Sequence, residues 1–598
     1  MAYGEVIVML SEGPSEINNE RLRYDAFSSE EPLFPGKKQR LPAMGWNSWN
    51  AFGSGNTEEL TKEMVRKIKE LGLDSYGYSY VVLDDGCYRP VRVDDRLCPD
   101  PVKFPSGFKA MADYIHSEGL KFGMYNDIGD RLCSGAEVGI YKHEKIDCND
   151  YINWDIDFIK VDNCYYMWDN ATFSNKENAR YSFAPNIKSV SIAGRTYNVL
   201  EDADITGPCA FVKGDYATFI GTFDGTAPDH SPVGERSSEL VFDIEADEPG
   251  EYELTVSYAT GKEEGIGCWL QVGVEDEIYF DQMLPETESS ESFIDSPVIK
   301  IKLFSGNNKI RLMNHRRQEN TLNSYSEIRK ELENISDGRD IVFSICEWGK
   351  TQPQNWGHLV GDSWRILNDI TFQVGSDGNH GTAAWESDYT TSITSQYNKA
   401  VIMDEFSGLD KGWNDPDMLV IGMDGIDENM CSSHMAMWCM MNSPLMLGLD
   451  LRRVEKGDWI YNLITNEDLI ALDQDPLGIQ AKRIYTTIPC SDPSLEYIRD
   501  NDRADVLAKP LSDGSIALAF FNIKQSDHDE AISISVENII DSIGAKMESA
   551  ALSDLKNASS FDVKDLFSKS ISRVDEKQFT VDHLDPCGCK VFKIIPVL

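Results

Sequence analysis

The segments KFGMYNDIG at residues 121–129 and DFIKVDNCY at residues 157–165 decide the fold of this chain. Each contains a short apolar run that ends in an aspartate, and a weak helical pattern at 145–154 separates the two. Short strands that alternate with helices are typical of βα units, whose strands form a parallel sheet. We therefore expect an α/β fold around these segments.

The same alternation extends back to Leu41. In Thr57–Leu71 the apolar side chains recur at the spacing of one helical face, and Gly72 follows as a suitable C-cap. The strand-like run 78–83 comes next and ends in an Asp-Asp pair. Polar residues at the carboxyl ends of successive strands are typical of a (β/α)8 TIM barrel, where all these ends meet at one face.

The pattern changes twice along the chain. From about residue 186 the sequence alternates strands with Gly-, Asp- and Pro-rich turns, which is typical of a β-sandwich, and helical periodicity resumes near residue 322. Beyond about residue 481 it is again rich in strands. The predicted domains are an N-terminal extension at 1–40, a TIM barrel in two parts at 41–185 and 316–480, an inserted β-sandwich at 186–315 and a C-terminal antiparallel β-sandwich at 481–598.

The charge balance excludes some classes of partner. The 598 residues include 56 Lys plus Arg against 100 Asp plus Glu, a formal net charge of −44. Such a surface repels phosphate backbones and anionic lipids, so we expect neither nucleic acid nor a membrane as a partner. No apolar run reaches the roughly 18 residues of a membrane-spanning helix. A neutral substrate fits this charge better.

The cysteines and the N-terminus bear on cofactors and on localisation. Thirteen cysteines are too few for a disulfide scaffold, and no Cys/His array has zinc-ligand spacing, so we expect no metal and no cofactor. The apolar stretch at 6–10 is too short for a secretory signal. The protein is thus expected to be cytoplasmic, or secreted if a signal has been removed; sequons at Asn170, Asn334 and Asn557 keep the second possibility open. The oligomeric state stays open.

Acidic and aromatic residues cluster at the predicted strand ends. Aromatic faces stack on the C–H surfaces of sugars, while carboxylates and cations fix hydroxyl directions, so this mixture indicates a saccharide site. Glycosidic cleavage needs two carboxyl groups, and the sequence alone does not choose the pair. The candidates are Asp84, Asp85, Asp127, Asp162, Glu347 and Asp369, with Trp46, Trp49, Tyr125, Trp348, Trp356, Trp364, Lys160 and Arg365 around them.

Eight motifs in order resemble glycoside hydrolase family 27. That family contains α-galactosidases and α-N-acetylgalactosaminidases, built as a TIM barrel followed by a β-sandwich. The resemblance covers about 41–185 and 320–598, while LFSGNNKIRL at the end of the insert resembles a carbohydrate-binding module. The motifs are GWNSWNAFG (45–53), VLDDGC (82–87), KFGMYNDIG (121–129), DFIKVDNCY (157–165), ICEWG (345–349), SWRILNDI (363–370), GWNDPDML (412–419) and NSPLMLGLDL (442–451).

The resemblance assigns roles to particular residues. Asp162 matches the nucleophile and Asp369 the general acid/base of a retaining double displacement, with Lys160 favouring the ionised Asp162 and Arg365 near the pair. Cys133 and Cys164 match a disulfide in the pocket wall. Asp84 and Asp85 would bind the O4 and O6 hydroxyls, Trp46 would lie beneath the sugar, and Tyr125, Lys160, Trp348 and Met418 would complete the pocket.

The expected reaction is hydrolysis of terminal α-D-galactosyl residues from oligosaccharides or galactan side chains. Glu347-Trp348-Gly349 resembles the α-galactosidase form, in which bulk excludes an N-acetyl group. One departure lies at Ser54, where many members have a cysteine that forms a disulfide near the position of Gly86-Cys87. This disulfide is therefore expected to be absent. The alternatives are a β-L-arabinopyranosidase, an α-N-acetylgalactosaminidase or a non-catalytic carbohydrate-binding protein.

Overall fold

The computed structural model describes residues 38–165, 185–206, 210–219, 239–260, 268–275, 277–289, 291–313, 317–336, 338–349, 353–387 and 391–598. The predicted N-terminal extension at 1–40 lies almost entirely outside these residues. None of the helices described in this part of the chain is long and apolar enough to span a bilayer.

The strands fall into four groups along the chain. The first group is β1 (Met44–Asn47), β2 (Tyr80–Val82), β3 (Lys121–Asp127) and β4 (Phe158–Asp162). The second is β5 (Asn186–Ile192), β6 (Arg195–Asn198), β7 (Ala203–Thr206), β8 (Ala210–Lys213), β9 (Tyr216–Phe219), β10 (Glu239–Ala246), β11 (Gly250–Ala259), β12 (Cys268–Val274), β13 (Glu277–Leu284), β14 (Ile294–Asp295), β15 (Ile299–Leu303) and β16 (Gly306–Met313). The third is β17 (Val342–Cys346), β18 (Ser363–Arg365), β19 (Trp413–Asp415) and β20 (Leu445–Leu447). The fourth is β21 (Lys482–Thr486), β22 (Ala504–Pro510), β23 (Ile516–Asn522), β24 (Ile532–Ser535), β25 (Ser560–Asp565), β26 (Ile571–Val574), β27 (Gln578–Val581) and β28 (Cys589–Val597).

The α-helices lie mainly between the strands of the first and third groups. In chain order the described helices are α1 (Ser48–Phe52), α2 (Glu58–Leu71), α3 (Phe108–Ser117), α4 (Glu144–Asn153), α5 (Val199–Asp202), α6 (Arg317–Ile335), α7 (Ile393–Ala400), α8 (Glu428–Met440), α9 (Trp459–Ile464), α10 (Glu467–Asp473), α11 (Val536–Ile543) and α12 (Ser549–Asn557).

The first and third groups of strands form one barrel. All of their pairs are parallel, in the order β19-β18-β17-β4-β3-β2-β1-β20. A parallel bridge between Leu419, after β19, and Leu447, at the end of β20, closes the ring. The predicted (β/α)8 TIM barrel is confirmed, and it places the carboxyl ends of eight strands at one face.

Helix α2 shows how closely local sequence signals determine this barrel. Thr57 is its N-cap, and the Thr57 hydroxyl accepts a hydrogen bond from the Leu60 N–H at 3.2 Å. Gly72 ends the helix in the left-handed conformation, with φ 74°, as a C-cap glycine does. The apolar face predicted from the sequence is buried. The confirmed helix is one residue shorter than the pattern, because Thr57 caps it.

The second group of strands forms an inserted β-sandwich. One sheet has the order β13-β12-β16-β10-β7 and the other β14-β11-β5-β9-β8, with β15 and β6 beside β11 and β5. The two sheets share a core of residues between Ile187 and Leu312. The insert leaves the barrel after β4 and returns at α6, so it replaces a βα connection at the face where the strands end.

The fourth group forms the C-terminal domain. Its main antiparallel sheet has the order β21-β22-β23-β28-β25-β26, and β24 pairs with β27. A separate core joins both sheets with α11. This domain packs on the barrel through apolar side chains, such as Leu507 and Phe521, that belong to the barrel's core. Polar contacts add to this: the Trp385 indole N–H donates to the Ile523 carbonyl at 2.7 Å, and the Tyr397 hydroxyl donates to Asp505 at 3.0 Å.

Candidate active site

Strand alternation selects the side chains that point into the barrel. Along β2 and β4, Val81 and Ile159 pack in the large core with the helices, whereas Val82 and Phe158 pack together inside the ring. Residues two apart share a face. Lys160 and Asp162 therefore point inward with Phe158, toward the open end of the barrel.

Asp162 occupies the end of β4 and is 4% exposed. The Tyr125 hydroxyl on β3 donates to its Oδ2 atom at 3.1 Å, and the Asn163 N–H donates to Oδ1 at 2.8 Å. Asp162 pairs in register with Asp127 and with Cys346, on the two neighbouring strands. Both of its oxygens thus accept hydrogen bonds, an arrangement that favours the ionised carboxylate.

Lys160, on the same strand as Asp162, forms an ion pair with Asp84, which follows β2. Its ammonium Nζ lies 2.9 Å from Asp84 Oδ2, and the Asn47 amide donates to the same oxygen at 2.9 Å. Burial would lower the pKa of Lys160, but the carboxylates of Asp84 and Asp162 raise it well above its usual value. The ammonium group is therefore charged: it is paired with Asp84 and interacts electrostatically with Asp162.

Asp85 is held by a different residue, Ser134. The Ser134 N–H donates to Asp85 Oδ2 at 2.7 Å, and its hydroxyl donates to Oδ1 at 2.9 Å. Asp85 is 2% exposed. Burial raises its pKa to about 6 although the Ser134 hydrogen bonds oppose this shift, and the neighbouring Asp84 adds to it.

The predicted disulfide between Cys133 and Cys164 is confirmed. It joins the loop after β3 to the loop after β4 across a Cα–Cα distance of 5.2 Å. The Tyr125 hydroxyl lies 3.1 Å from Cys133 Sγ as well as 3.1 Å from Asp162. The disulfide therefore borders the same space as Asp162.

Asp369 lies four residues beyond Arg365, the last residue of β18. Arg365 Nη2 is 3.1 Å from Asp369 Oδ1 and 3.0 Å from Asp417 Oδ2. The Asp369 side chain keeps 23% of its exposure, more than Arg365 or Asp417. Burial raises the pKa of Asp369 to about 6, against the lowering effect of Arg365 and with the help of Asp417 and Asp162.

Three further predicted residues lie around these carboxyl groups. Glu347 and Trp348 follow β17 and are 0% and 7% exposed. The Trp348 side chain packs with the thiol of Cys346 and with Cys164. Met418 packs inside the barrel among the side chains that include Val82 and Phe158.

Trp46 is not brought to this site. It is fully buried, its indole N–H donates to the Leu449 carbonyl at 2.9 Å, and its ring centroid lies 6.0 Å from that of Phe52. Because Asn47 points toward Asp84, the alternation of β1 turns Trp46 to the outer layer. Trp49 instead packs against the group of side chains inside the barrel.

The sequence interpretation missed three residues that the structure brings to the site. Asn47 and Ser134 bind the Asp84-Asp85 pair, and Asp417 binds Arg365. Asn47 and Asp417 lie within the quoted motifs, and the alternation of side chains along β1 would have separated Trp46 from Asn47. Ser134 carries no motif signal and is found only through its neighbour Cys133.

Two groups of side chains could be considered as metal ligands among the described residues. Asp127, Asp162, Cys133 and Cys164 converge, but both sulfur atoms belong to the disulfide, which leaves two carboxylates. Asp527, His583 and Asp585 converge on the exposed surface of the C-terminal domain. Asp84 and Asp85 are engaged by Lys160, Asn47 and Ser134 rather than left open for an ion.

Two carboxyl groups that differ in charge state and accessibility lie at the open end of the barrel. Asp162 is hydrogen-bonded on both oxygens and lies near a buried cation, whereas Asp369 has a raised pKa and is more accessible. Their strands, β4 and β18, are separated by β17 alone. Such a pair can supply one charged and one protonated carboxyl group to a single bound molecule.

Known families match the same parts of the chain. The sequence model of the family described as Alpha galactosidase A matches residues 41–194 and 301–475, and that of the Alpha galactosidase C-terminal beta sandwich domain matches residues 501–594. An alpha-galactosidase from Cyamopsis tetragonoloba is 25% identical over 559 residues, which cover 93% of this chain and 87% of that protein.

Solved structures share the fold. Alpha-galactosidase I from Mortierella vinacea superimposes with a TM-score of 0.57 at 20% identity, covering 93% of this chain and 97% of that one. A family 27 β-L-arabinopyranosidase from Geobacillus stearothermophilus gives a TM-score of 0.53 at 18% identity, covering 93% and 97%. Two enzymes whose names give different specificities therefore share this architecture.

Proposed function

This chain belongs to the alpha-galactosidase A family of glycoside hydrolases, and from this premise we propose that it hydrolyses terminal α-D-galactosyl residues with retention of configuration. The substrates are galactose-containing oligosaccharides or galactan side chains. Asp162 is the nucleophile and Asp369 the general acid/base.

The observation that carries the proposal is the contrast between these two carboxyl groups. The Tyr125 hydroxyl and the nearby ammonium of Lys160 favour a charged Asp162, as a nucleophile requires. The pKa of Asp369, raised to about 6, favours a protonated carboxyl group in mildly acidic solution. Paired carboxyl groups with separated proton affinities are the usual arrangement for glycosidic cleavage.

The reaction then has two steps. Asp162 attacks the anomeric carbon while Asp369 donates its proton to the departing glycosidic oxygen, which breaks the glycosidic bond and forms a glycosyl ester. In the second step Asp369 takes a proton from water, the resulting hydroxide oxygen attacks the anomeric carbon, and Asp162 leaves as a carboxylate. Two inversions restore the α configuration. Because Arg365 binds Asp369 Oδ1, the transferable proton belongs on Oδ2.

The hydroxyl-binding side of the pocket supports galactose. Asp162 ends β4, and in the barrel β3 separates β4 from β2, after which Asp84 and Asp85 lie. These carboxylates therefore face the part of the sugar ring that is farthest from the anomeric carbon. A buried acceptor directed at an axial O4 would be left unpaired by glucose, so glucosides would bind more weakly than galactosides.

The test is hydrolysis of nitrophenyl α-galactoside by the wild type and by Asp162→Ala. We expect turnover by the wild type and its loss in the variant, with an unchanged circular dichroism spectrum. Equal rates in the two proteins would contradict the proposal. The anomer released first, observed by proton NMR, should be α; release of the β anomer would exclude the double displacement.

A panel of aryl glycosides tests the sugar. The α-galactoside should be preferred over the α-N-acetylgalactosaminide and the β-L-arabinopyranoside, because Trp348 and Glu347 occupy the space after β17 and both Asp84 and Asp85 are present. A higher kcat/KM for either competitor would reassign the specificity and leave the catalytic pair in place.

A further inference from the structure

Ser134 makes two hydrogen bonds to Asp85 and lies next to Cys133 in the disulfide. We propose that Ser134 is a specificity-determining positioning residue, which orients Asp85 to bind the hydroxyl group on C6 of the galactosyl unit. This inference rests on the proposed function and concerns the recognition side of the same pocket.

The position of Asp85 supports its assignment to the exocyclic hydroxyl. Asp84 is fixed inside the barrel by Lys160 and Asn47, at 2.9 Å from each, so it faces the ring hydroxyl groups. Asp85 is one residue farther from β2 and reaches the loop after β3, where Ser134 lies. The C5–C6 arm is the part of a galactosyl unit that extends beyond its ring. It is therefore the group that meets Asp85.

The two hydrogen bonds from Ser134 fix the plane of the Asp85 carboxylate. One donor comes from the backbone and binds Oδ2, and the other comes from the side chain and binds Oδ1. Each carboxylate oxygen can accept about two hydrogen bonds. Ser134 thus uses one acceptor position on each oxygen, and the Gly86 N–H uses a third, which leaves about one position for a ligand hydroxyl group.

Covalent structure holds Ser134 in its place. Cys133, its neighbour, is bonded to Cys164, two residues after Asp162, and both the Cys133 sulfur and Asp162 contact the Tyr125 hydroxyl. The loop that orients Asp85 is therefore tied to the strand end that carries Asp162. Recognition of the C6 hydroxyl and placement of the anomeric carbon share one rigid wall.

Ser134 also affects the charge of Asp85. Burial raises the pKa of Asp85 to about 6, and both Ser134 hydrogen bonds lower it. The other titratable groups facing Asp85 are Asp84 and the thiol of Cys87 on its own segment and the Tyr125 phenol on β3. Loss of the Ser134 hydroxyl would therefore favour the protonated form, which accepts hydrogen bonds less well.

The experiment compares nitrophenyl α-D-galactopyranoside with nitrophenyl α-D-fucopyranoside, which lacks the C6 hydroxyl group. For Ser134→Ala we expect KM for the galactoside to rise about tenfold, as for a lost hydrogen bond to a charged group, with kcat nearly unchanged. KM for the fucoside should change little. In Ser134→Ala the acidic limb of the pH profile of kcat/KM for the galactoside should move to higher pH. Ser134→Thr should return this limb to its wild-type position.

Ser106→Ala is the matched control. Ser106 binds Glu58 in the same way, with its N–H at 2.9 Å and its hydroxyl at 2.7 Å from the two carboxylate oxygens, on α2 outside the barrel. This variant should lose similar stability and keep the kinetics of the wild type for both glycosides.

Several outcomes would overturn the inference. Ser134→Ala could weaken both glycosides equally or change neither, and each result would remove Ser134 from the recognition of C6. Equal kcat/KM values of the wild type for both glycosides would also overturn the inference, because the C6 hydroxyl group would then not be recognised. If the wild type hydrolyses neither, the proposed function fails instead, so the two failures are distinguishable.

Discussion

Asp417 illustrates how a residue away from the bond that breaks can control the acid/base. Its Oδ2 atom lies 3.0 Å from Arg365 Nη2 and accepts the Ile370 N–H at 2.7 Å. Its backbone has φ 78°, and the Asp415 carboxylate accepts its N–H at 2.8 Å. Asp417 therefore holds both the guanidinium that binds Asp369 and the segment that carries it.

We expect Asp417→Asn to lower kcat about 10²-fold, the cost of a small misplacement of a catalytic group. The charge of Asp417 raises the pKa of Asp369, so its removal lowers that pKa and moves the basic limb of the pH–rate profile to lower pH. Steady-state kinetics over a pH series would measure both effects. Asp424→Asn, at an exposed aspartate paired with Arg453, is the control and should change neither. An unchanged basic limb in Asp417→Asn would contradict this role.

The residue scale also shows where the sequence was insufficient. Motif likeness alone placed Trp46 beneath the sugar, whereas strand parity turns it outward and brings Asn47 to Asp84. The carboxyl groups at strand ends were predictable because parallel strands place all their ends together. Ser134 was not, because its contact with Asp85 depends on how the loop after β3 folds back.

At the scale of elements, a close contact occurs where many family members are expected to carry a disulfide. Cys87 is a free thiol, and Gly86 instead packs on Ser54. The Lys103 ammonium donates to the carbonyl oxygens of both residues, at 2.7 Å from Ser54 and 2.9 Å from Gly86. A close backbone contact and two hydrogen bonds from Lys103 thus join the loops after β1 and β2, immediately beyond Asp85.

Gly86→Ala should break this contact. Gly86 has φ 97°, and an added Cβ would lie 2.6 Å from the Ser54 Cα, so backbone must move. We expect a loss of about 2 kcal/mol or more in stability, together with a higher KM, because Asp84 and Asp85 directly precede the shifted residue. Chemical denaturation and steady-state kinetics would measure the two effects.

Gly119→Ala separates the two causes of that loss. Gly119 also has a positive φ, of 77°, but its added Cβ would meet no atom within 4 Å. It should therefore show only the backbone strain and no change in KM. Equal stability losses in the two variants would mean that the contact with Ser54 contributes nothing.

At the scale of the whole molecule, the inserted sandwich is a separate unit by its packing. Among the described residues, its core consists of side chains from 187 to 312 and includes none from the barrel. The sequence predicted this because strand alternation replaces βα alternation at about residue 186, and a sandwich core needs only its own two sheets. We propose that 186–315 is an accessory domain and that 41–185 and 316–480 form the catalytic domain.

Replacing 186–315 by a flexible linker tests this division. Since the described core of the insert contains no barrel side chain, hydrolysis of a nitrophenyl α-galactoside should stay within a few-fold of the full chain. Hydrolysis of a polymeric galactan should fall more, as expected for an accessory binding domain. If turnover of the small substrate also collapsed in a folded protein, the insert would be part of the pocket wall.

The electrostatics of the whole chain make stability depend on pH. Asp85, Asp147, Asp369 and Asp415 all have a pKa raised to about 6, chiefly by burial. An unfolded aspartate has a pKa of about 3.9. Between these values the folded chain binds more protons than the unfolded one, so the free energy of unfolding falls as pH rises through this window.

Asp505 works in the opposite direction. Burial opposes its ionisation, but Arg503 and Arg483 lower its pKa below the usual value. The stability that it contributes is therefore present above the unfolded pKa and is lost as pH falls through the folded pKa. The four aspartates of raised pKa destabilise the fold above about pH 4 and Asp505 destabilises it below, so the pH of greatest stability is about 4.

We expect the apparent melting temperature to be highest near about pH 4 and several degrees lower near about pH 8. A net charge of −44 contributes to this decrease through self-repulsion, which salt screens, whereas salt screens buried carboxyl groups much less. Thermal unfolding should therefore be followed over the pH series at low and at high salt. The part of the decrease that persists at high salt measures the buried groups, and it should become smaller in Asp415→Asn. A melting temperature that rises steadily toward alkaline pH at high salt would show that these carboxyl groups are ionised without cost, and would remove the electrostatic basis for a protonated Asp369.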